Sequence, residues 1–242
     1  LTYGFIMKIK NIQSLNFSNK SRIKKRIKFI IIHYTGMQSE IASIKRLTKT
    51  SSKVSCHYLI NRKGQIARMV NDNKVAWHAG KSRWKGFKNL NENSIGIELV
   101  NKGHKHGYEK FQNKQINSLV NLCKILRKKY YIKKENFLGH SDIAPLRKID
   151  PGEKFPWKKL SKFNIGKWYV KKRVNFKFIN KRKKEILFFK NIYKIGYRYF
   201  SFYKRDKTDK LVIKSFQRRY LPKNVTGKID LETLKISHFL IN

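Results

Sequence analysis

The chain has 242 residues, 40% of them hydrophobic, which excludes wholesale disorder and suffices for one large domain or a medium domain with a small companion. Its 58 Lys and Arg against 14 Asp and Glu give a formal charge of +44, a field that draws any polyanion, yet the lysines are spread along the whole length, as A+T-biased codons would also place them. Two cysteines, Cys56 and Cys123, make neither a disulfide framework nor a cysteine zinc site, and no apolar run reaches membrane-spanning length.

Residues 1–27 read as a basic arm without an uninterrupted signal-peptide apolar region or a cysteine for lipid, the true start being an alternative codon or Met7. This favours a cytoplasmic protein, with the periplasm or cell envelope as the alternative if an export signal is missing. "FIIIHYTG" at 29–36 is a short β-branched run closed by polar residues and Gly, the pattern of a buried central strand. Ile41, Ile44 and Leu47 recur at helical spacing over 38–48. "VSCHYLIN" (54–61) and "QIARMV" (65–70) flank "RKG" and predict a hairpin. "SIGIELV" (94–100) alternates Ile95, Ile97 and Leu99 on one face with Gly96 and Glu98 on the other.

Residues 112–130 predict the clearest helix, with Ile116, Leu119, Val120, Cys123, Leu126 and Tyr130 on one face; both cysteines read as buried free thiols. "ENFLGH" reads as a short strand that delivers His140 at its end. Residues 166–180 lack a clean period and read as a connector. Three short helical patterns follow: Ile186, Phe189, Ile192 and Tyr193; Val212, Ile213, Phe216 and Tyr220; and Leu231 with Leu234 behind an Asp230 N-cap. The expected fold class is α/β, a mixed β-sheet flanked by helices, with a small C-terminal helical domain at 181–242 after a catalytic domain at 28–165.

His33 stands at the end of the first buried strand, where sheet-centred folds gather functional side chains. His140 follows a short strand, and Asp150 lies ten residues beyond it, before Pro151-Gly152. Two imidazoles and a carboxylate make a zinc set that leaves a position for water. Each residue also has an ordinary reading: a strand-capping histidine, or a turn aspartate before proline. Lys148, two residues before Asp150, shares its face if the segment is extended, and otherwise is one lysine among many. Glu98 sits between Ile97 and Leu99 in a chain short of acids; it is either a general base or an edge carboxylate facing water or a lysine. His57 and His78 balance functional and structural readings. His104 and His106 lie in a polar glycine-flanked loop and read as exposed.

In order along the chain, "IIHYTG", "SCHYLI", "AWHAG", "NSIGIELVN", "GHSDIAP" and "RKIDPGEKFPW" resemble the zinc N-acetylmuramoyl-L-alanine amidases of the amidase-2 family, of AmiD and AmpD type. The resemblance covers roughly residues 28 to 160, and "FQRRY…GKID…T" extends it to a peptidoglycan-binding-like helical region. It implies a peptidoglycan-recognition-protein-like fold, one Zn²⁺ per chain on His33, His140 and Asp150, catalytic Glu98 and Lys148, and His78 with Trp77 or Trp84 in a substrate groove. It also implies peptidoglycan fragments or muropeptides as partners, and hydrolysis of the bond between muramic (or anhydromuramic) acid and L-alanine. The alternatives are a peptidoglycan-recognition module without catalysis, against which the complete ligand set speaks, and a nucleic-acid-binding basic protein supported by charge and by "FFKNIYKIGYRYFSFYKR". A sequence-independent, salt-sensitive affinity for DNA would follow from the charge alone.

Overall fold

Four consecutive residues, Phe29 to Ile32, are each at most 1% exposed, and only a strand covered on both faces buries such a run. The computed structural model describes residues 8–174, 176 and 179–242. Residues 1–7 of the expected arm, with Met7, and residues 175, 177 and 178 of the expected connector lie outside the described residues. In chain order the elements are β1 (Ile9–Asn11), β2 (Phe17–Ser21), β3 (Phe29–Tyr34), α1 (Glu40–Thr48), β4 (Tyr58–Ile60), β5 (Ile66–Arg68), β6 (Lys74–Ala76), β7 (Arg83–Trp84), β8 (Phe87–Lys88) and β9 (Ser94–Leu99). Then come α2 (Asn113–Tyr130), β10 (Phe137–Gly139), α3 (His140–Ile143), α4 (Trp157–Ser161), α5 (Lys181–Ile195), α6 (Asp209–Tyr220) and α7 (Leu231–Phe239). No helix among the described residues is long and apolar enough to cross a membrane.

The chain divides into two compact units, residues 1–78 with 91–131 and residues 79–90 with 132–242. In the first, five strands run in the order β1-β5-β4-β9-β3. The sheet is mixed: β4 and β5 form the antiparallel hairpin expected around "RKG", while β1–β5, β4–β9 and β9–β3 pair in parallel. A separate antiparallel pair joins β2 to β6. Residues 9–11 and 17–21 are therefore strands within what the sequence suggested was only a basic arm.

Arg22 explains how that segment is fixed. Its guanidinium is buried and donates to the carbonyls of Asp72, Asn91, Glu92 and Ser94. Burial lowers its pKa to about 10, so it stays charged at neutral pH. Gln115 of α2 does a similar job, with Nε2 donating to Ile60 O and Val100 O at the ends of β4 and β9. The α2 face is buried as its spacing predicts. In α1, Ser39 caps the Ala42 N–H and Leu47 is buried, but Ile41 is 80% exposed, because nine residues bury only a narrow stripe.

The second unit contains the β7–β8 hairpin, β10 and α3 to α7. Val212, Ile213, Phe216 and Tyr220 of α6 are buried as predicted, and Asp230 caps α7 through the Thr233 N–H. In α5 the buried stripe is Phe188, Phe189 and Ile192; Ile186 and Tyr193 face outward. The ion pair of Arg219 with Asp142 ties α6 to α3, with both side chains at most 3% exposed. Arg219 also donates to Phe137 O and lies 3.9 Å from the Trp157 ring centre. Asp142 accepts in addition from Tyr197 Oη at 2.6 Å and from the Gly139 N–H at 2.8 Å.

Removing one partner of a buried pair strands the other charge. Arg219→Ala is expected to lower unfolding free energy by about 3–5 kcal/mol, measured by urea denaturation. A loss below about 1 kcal/mol, the range of an exposed pair, would contradict the structural role assigned to it.

Candidate functional site

The parallel register of β3 and β9 places His33 directly opposite Glu98, and β4 places Leu59 on the other side of Glu98. His33 is 1% exposed and Glu98 half-buried. Both stand at the C-terminal ends of parallel strands, where the sheet stops and side chains can converge. Cys56 lies near Glu98; burial, and then that carboxylate, push its thiol well above the usual range, which leaves it protonated and unreactive.

A row of imidazoles continues from His33. Its Nε2 lies 3.0 Å from His78 Nδ1, and His78 Nε2 lies 3.2 Å from Ser94 Oγ. The two rings meet edge to face, with centres 5.1 Å apart. Gly96 makes room for the His78 ring: a Cβ there would stand 2.4 Å from His78 Cγ. His57 is fully buried, with Nδ1 accepting from the Gly96 N–H and Nε2 near Lys74 O and the Arg22 guanidinium. Burial and then the Arg22 charge lower its pKa to about 3, so it is neutral at working pH. His57 is thus a structural residue, satisfied on both nitrogens.

In the second unit β10 delivers His140 as the first residue of α3. Ser141 N–H donates to Asp150 O at 2.8 Å, which folds the following loop back beside the helix start. The close approach is made possible by Gly139, where a Cβ would stand 2.7 Å from the ring of Pro151, joined to Asp150 by a cis peptide. Asp150 Oδ2 then lies 3.1 Å from His140 Nδ1, while His140 Nε2 lies 3.1 Å from Ala79 O. Arg147 Nη2 donates to Ala79 O and to Lys81 O. Lys148 is half-buried and follows a turn, its N–H donating to Ala144 O, so this lysine does not continue an extended strand.

His33, His140 and Asp150 each offer one ligand atom, all buried, and these atoms lie within 4.8 Å of one another. The donor set fits zinc: two imidazoles and a carboxylate, with the other nitrogen of each ring held by a hydrogen-bond partner, Ala79 O for His140 and His78 for His33. Trp77 is half-buried, and its backbone N–H donates to Ser55 Oγ. Trp84 corrects a sequence expectation: it is 2% exposed, 4.9 Å from Tyr197, and too deep to meet a sugar. His104 is exposed, stacks on Tyr108 and lies 2.9 Å from Tyr34 Oη. Arg22, Ser94, Gly96 and the Ala79 carbonyl were not singled out by residue type. No local spacing marks them, since what recruits them is the approach of distant segments.

Residues 23–153 match the sequence profile of the Amidase_2 family, described as N-acetylmuramoyl-L-alanine amidase. The chain is 36% identical over 233 residues to the N-acetylmuramoyl-L-alanine amidase AmiD of Escherichia coli, a match that covers 89% of this chain and 83% of that one. It is 32% identical to the 1,6-anhydro-N-acetylmuramyl-L-alanine amidase AmpD of Haemophilus influenzae, over 64% of this chain and 92% of that protein. It also resembles the structure of E. coli AmiD in complex with anhydro-N-acetylmuramic acid-L-Ala-D-gamma-Glu-L-Lys, with a TM-score of 0.77 and 33% identity over 93% of this chain and 91% of that one.

The buried neutral state of His57 has a measurable consequence. Between about pH 6.5 and about 3 the unfolded chain holds a proton on this ring that the folded chain does not, so stability falls as pH falls through that window. His57→Asn, which keeps an acceptor for the Gly96 N–H, should flatten the dependence by up to one proton, about 1.4 kcal/mol per pH unit. Urea unfolding of metal-free protein from pH 7 to 4 checks this; parallel curves for the two proteins would refute it.

Proposed function

Because the chain belongs to the N-acetylmuramoyl-L-alanine amidase family, we propose that His33, His140 and Asp150 hold its zinc ion, that Glu98 is the general base and that Lys148 meets the oxyanion. The activity is hydrolysis of the amide between N-acetylmuramic or anhydro-N-acetylmuramic acid and the L-alanine of the stem peptide, in peptidoglycan turnover. The observation that carries the residue assignment is the convergence of three buried ligand atoms from residues far apart in sequence.

Amides resist water because nitrogen donates into the carbonyl. The zinc ion, when bound, polarises that carbonyl and brings the pKa of a water to about 7. Glu98 takes a proton from the attacking water onto a carboxylate oxygen and returns it to the departing amine nitrogen. Its place opposite His33 in the sheet register supports this role. The Lys148 ammonium donates to the oxygen that gains charge, an interaction of about 3 kcal/mol in acyl transfer. The half-buried Trp77 ring offers a flat apolar face to the sugar. Stem peptides carry carboxylates, and a chain of charge +44 draws such anions to its surface before any contact forms. We assign residues 28–165 as the catalytic part and 181–242 as the helical part.

Glu98→Gln should bind zinc at the wild-type ratio and lose about 10²–10⁴-fold in kcat, as expected for loss of a general base. His140→Ala should purify without stoichiometric zinc. Metal analysis together with mass spectrometry of products from sacculi and from anhydromuropeptides checks both. Near-normal turnover in Glu98→Gln would end the assignment of the base, and full zinc in His140→Ala that of the ligand.

A further inference from the structure

We propose that His78 is a positioning residue for the metal ligand His33, holding that imidazole in the tautomer and rotation that present Nδ1 as the ligand. The inference rests on the reading of His33 as a zinc ligand. With Nε2 engaged by His78 at 3.0 Å, the ring nitrogen of His33 left to bind a metal is Nδ1. A ring that coordinates through Nδ1 carries its proton on Nε2, and that proton needs an acceptor. His78 Nδ1 accepts it, which puts the His78 proton on Nε2, directed at Ser94 Oγ 3.2 Å away. The direction of the relay is therefore fixed from the metal side outward: His33 to His78 to Ser94.

The surroundings hold His78 in place. Its backbone N–H donates to Asn91 Oδ1 at 3.1 Å. One face of the ring lies against Gly96, where any Cβ would collide with it. The His57 ring meets it edge to face, with centres 5.6 Å apart. His57 in turn is pinned by the Gly96 N–H on Nδ1 and by the Lys74 carbonyl on Nε2. A ring fixed on three sides is suited to orienting a ligand, because it cannot follow His33 if that side chain rotates. It is poorly suited to adapting around a substrate. His140 is served by a backbone carbonyl, that of Ala79, which no side-chain substitution removes. His33 depends on a side chain, so its half of the site can be weakened by mutation.

The test is zinc affinity of the full-length protein, by competition for Zn²⁺ with a chromophoric chelator, with steady-state kinetics at saturating zinc. His33→Ala should lose stoichiometric zinc, which checks the underlying reading. His78→Ala should raise the zinc Kd about 10–100-fold, the usual effect of removing the partner of a ligating histidine. At saturating zinc it should lower kcat while KM changes little. His78→Asn, whose Oδ1 can stand where Nδ1 stands, should recover most of the affinity; His78→Gln, whose amide reaches the Nε2 position instead, should not. An unchanged zinc Kd in His78→Ala overturns the proposal, and a raised KM beside it would assign the ring to substrate contact. If His78→Ala does not fold, equal zinc affinities for the Asn and Gln variants overturn it. Zinc retained by His33→Ala would instead overturn the metal reading itself, and this proposal with it.

Discussion

The parallel pairing of β3 with β9 is the constraint on which the first unit depends. Six consecutive residue pairs set the register, from Phe29 opposite Ser94 to Tyr34 opposite Leu99. A slip by one residue would turn His33 and Glu98 to opposite faces and put Ile95, Ile97 and Leu99 on the face that Gly96 and Glu98 occupy. The apolar residues on the two strands fix the register by burial, and the polar residues inherit their positions from it. The same register brings Gly96 opposite Ile31 and leaves the space above Gly96 that His78 occupies. One hydrophobic pattern therefore positions three polar side chains that have no sequence relation to one another.

Each unit also contains one arginine withdrawn from water. Arg22 is surrounded chiefly by backbone carbonyls, and Arg219 by a carboxylate, a carbonyl and an indole face. Arginine suits both because five donors in a rigid plane can satisfy several acceptors at once, which a lysine ammonium cannot do with the same geometry. In a chain with so many exposed cations these two are set apart by their coordination. Their effect is to join segments remote in sequence: residue 22 to the start of β9, and α6 to α3. Because α3 begins with His140, the helical tail is packed through Asp142 against the element that carries a candidate ligand.

Much of this was legible in the sequence. The buried strand at 29–34, the hairpin, β9, α2, α6 and the Asp230 cap follow from apolar periodicity and turn chemistry, which act over a few residues. His33, His140 and Glu98 stood out as candidates because each interrupts or ends an apolar strand pattern, whereas Asp150, in a loop before Pro151, stood out only beside His140 and through the family resemblance. The arm was misread where its strands are short and polar: β2 reads "FSNKS" and carries no period. The α5 stripe was misplaced because Phe188, Phe189, Ile192 and Tyr193 offer two overlapping apolar faces, and only packing selects one. Trp84 was expected in a substrate groove, but its neighbours in space, Tyr197 and Gly196, lie more than a hundred residues away in sequence and bury it.

Scarcity made the acids more informative than the bases. With 14 acids against 58 bases, a lysine at any position tells little about its task. An acid that folding has drawn inward is different, because burial alone disfavours its charge and each such residue needs compensation. Asp72 illustrates this: burial would raise its pKa, but donors from Tyr130, Lys129 and Tyr58 outweigh it and hold the carboxyl below the usual range. Asp142 has Arg219, Tyr197 and the Gly139 N–H. Asp150 lies 3.1 Å from His140, and its charge is felt by the Arg147 guanidinium. A divalent cation held by a buried carboxylate and imidazoles is the largest local charge in such a site and compensates the carboxylate directly. The buried acids thus mark the tied places of the fold: Asp72 and Asp142 are matched by tyrosines and full cations, and Asp150 belongs to the group with His33 and His140 that could hold a metal ion.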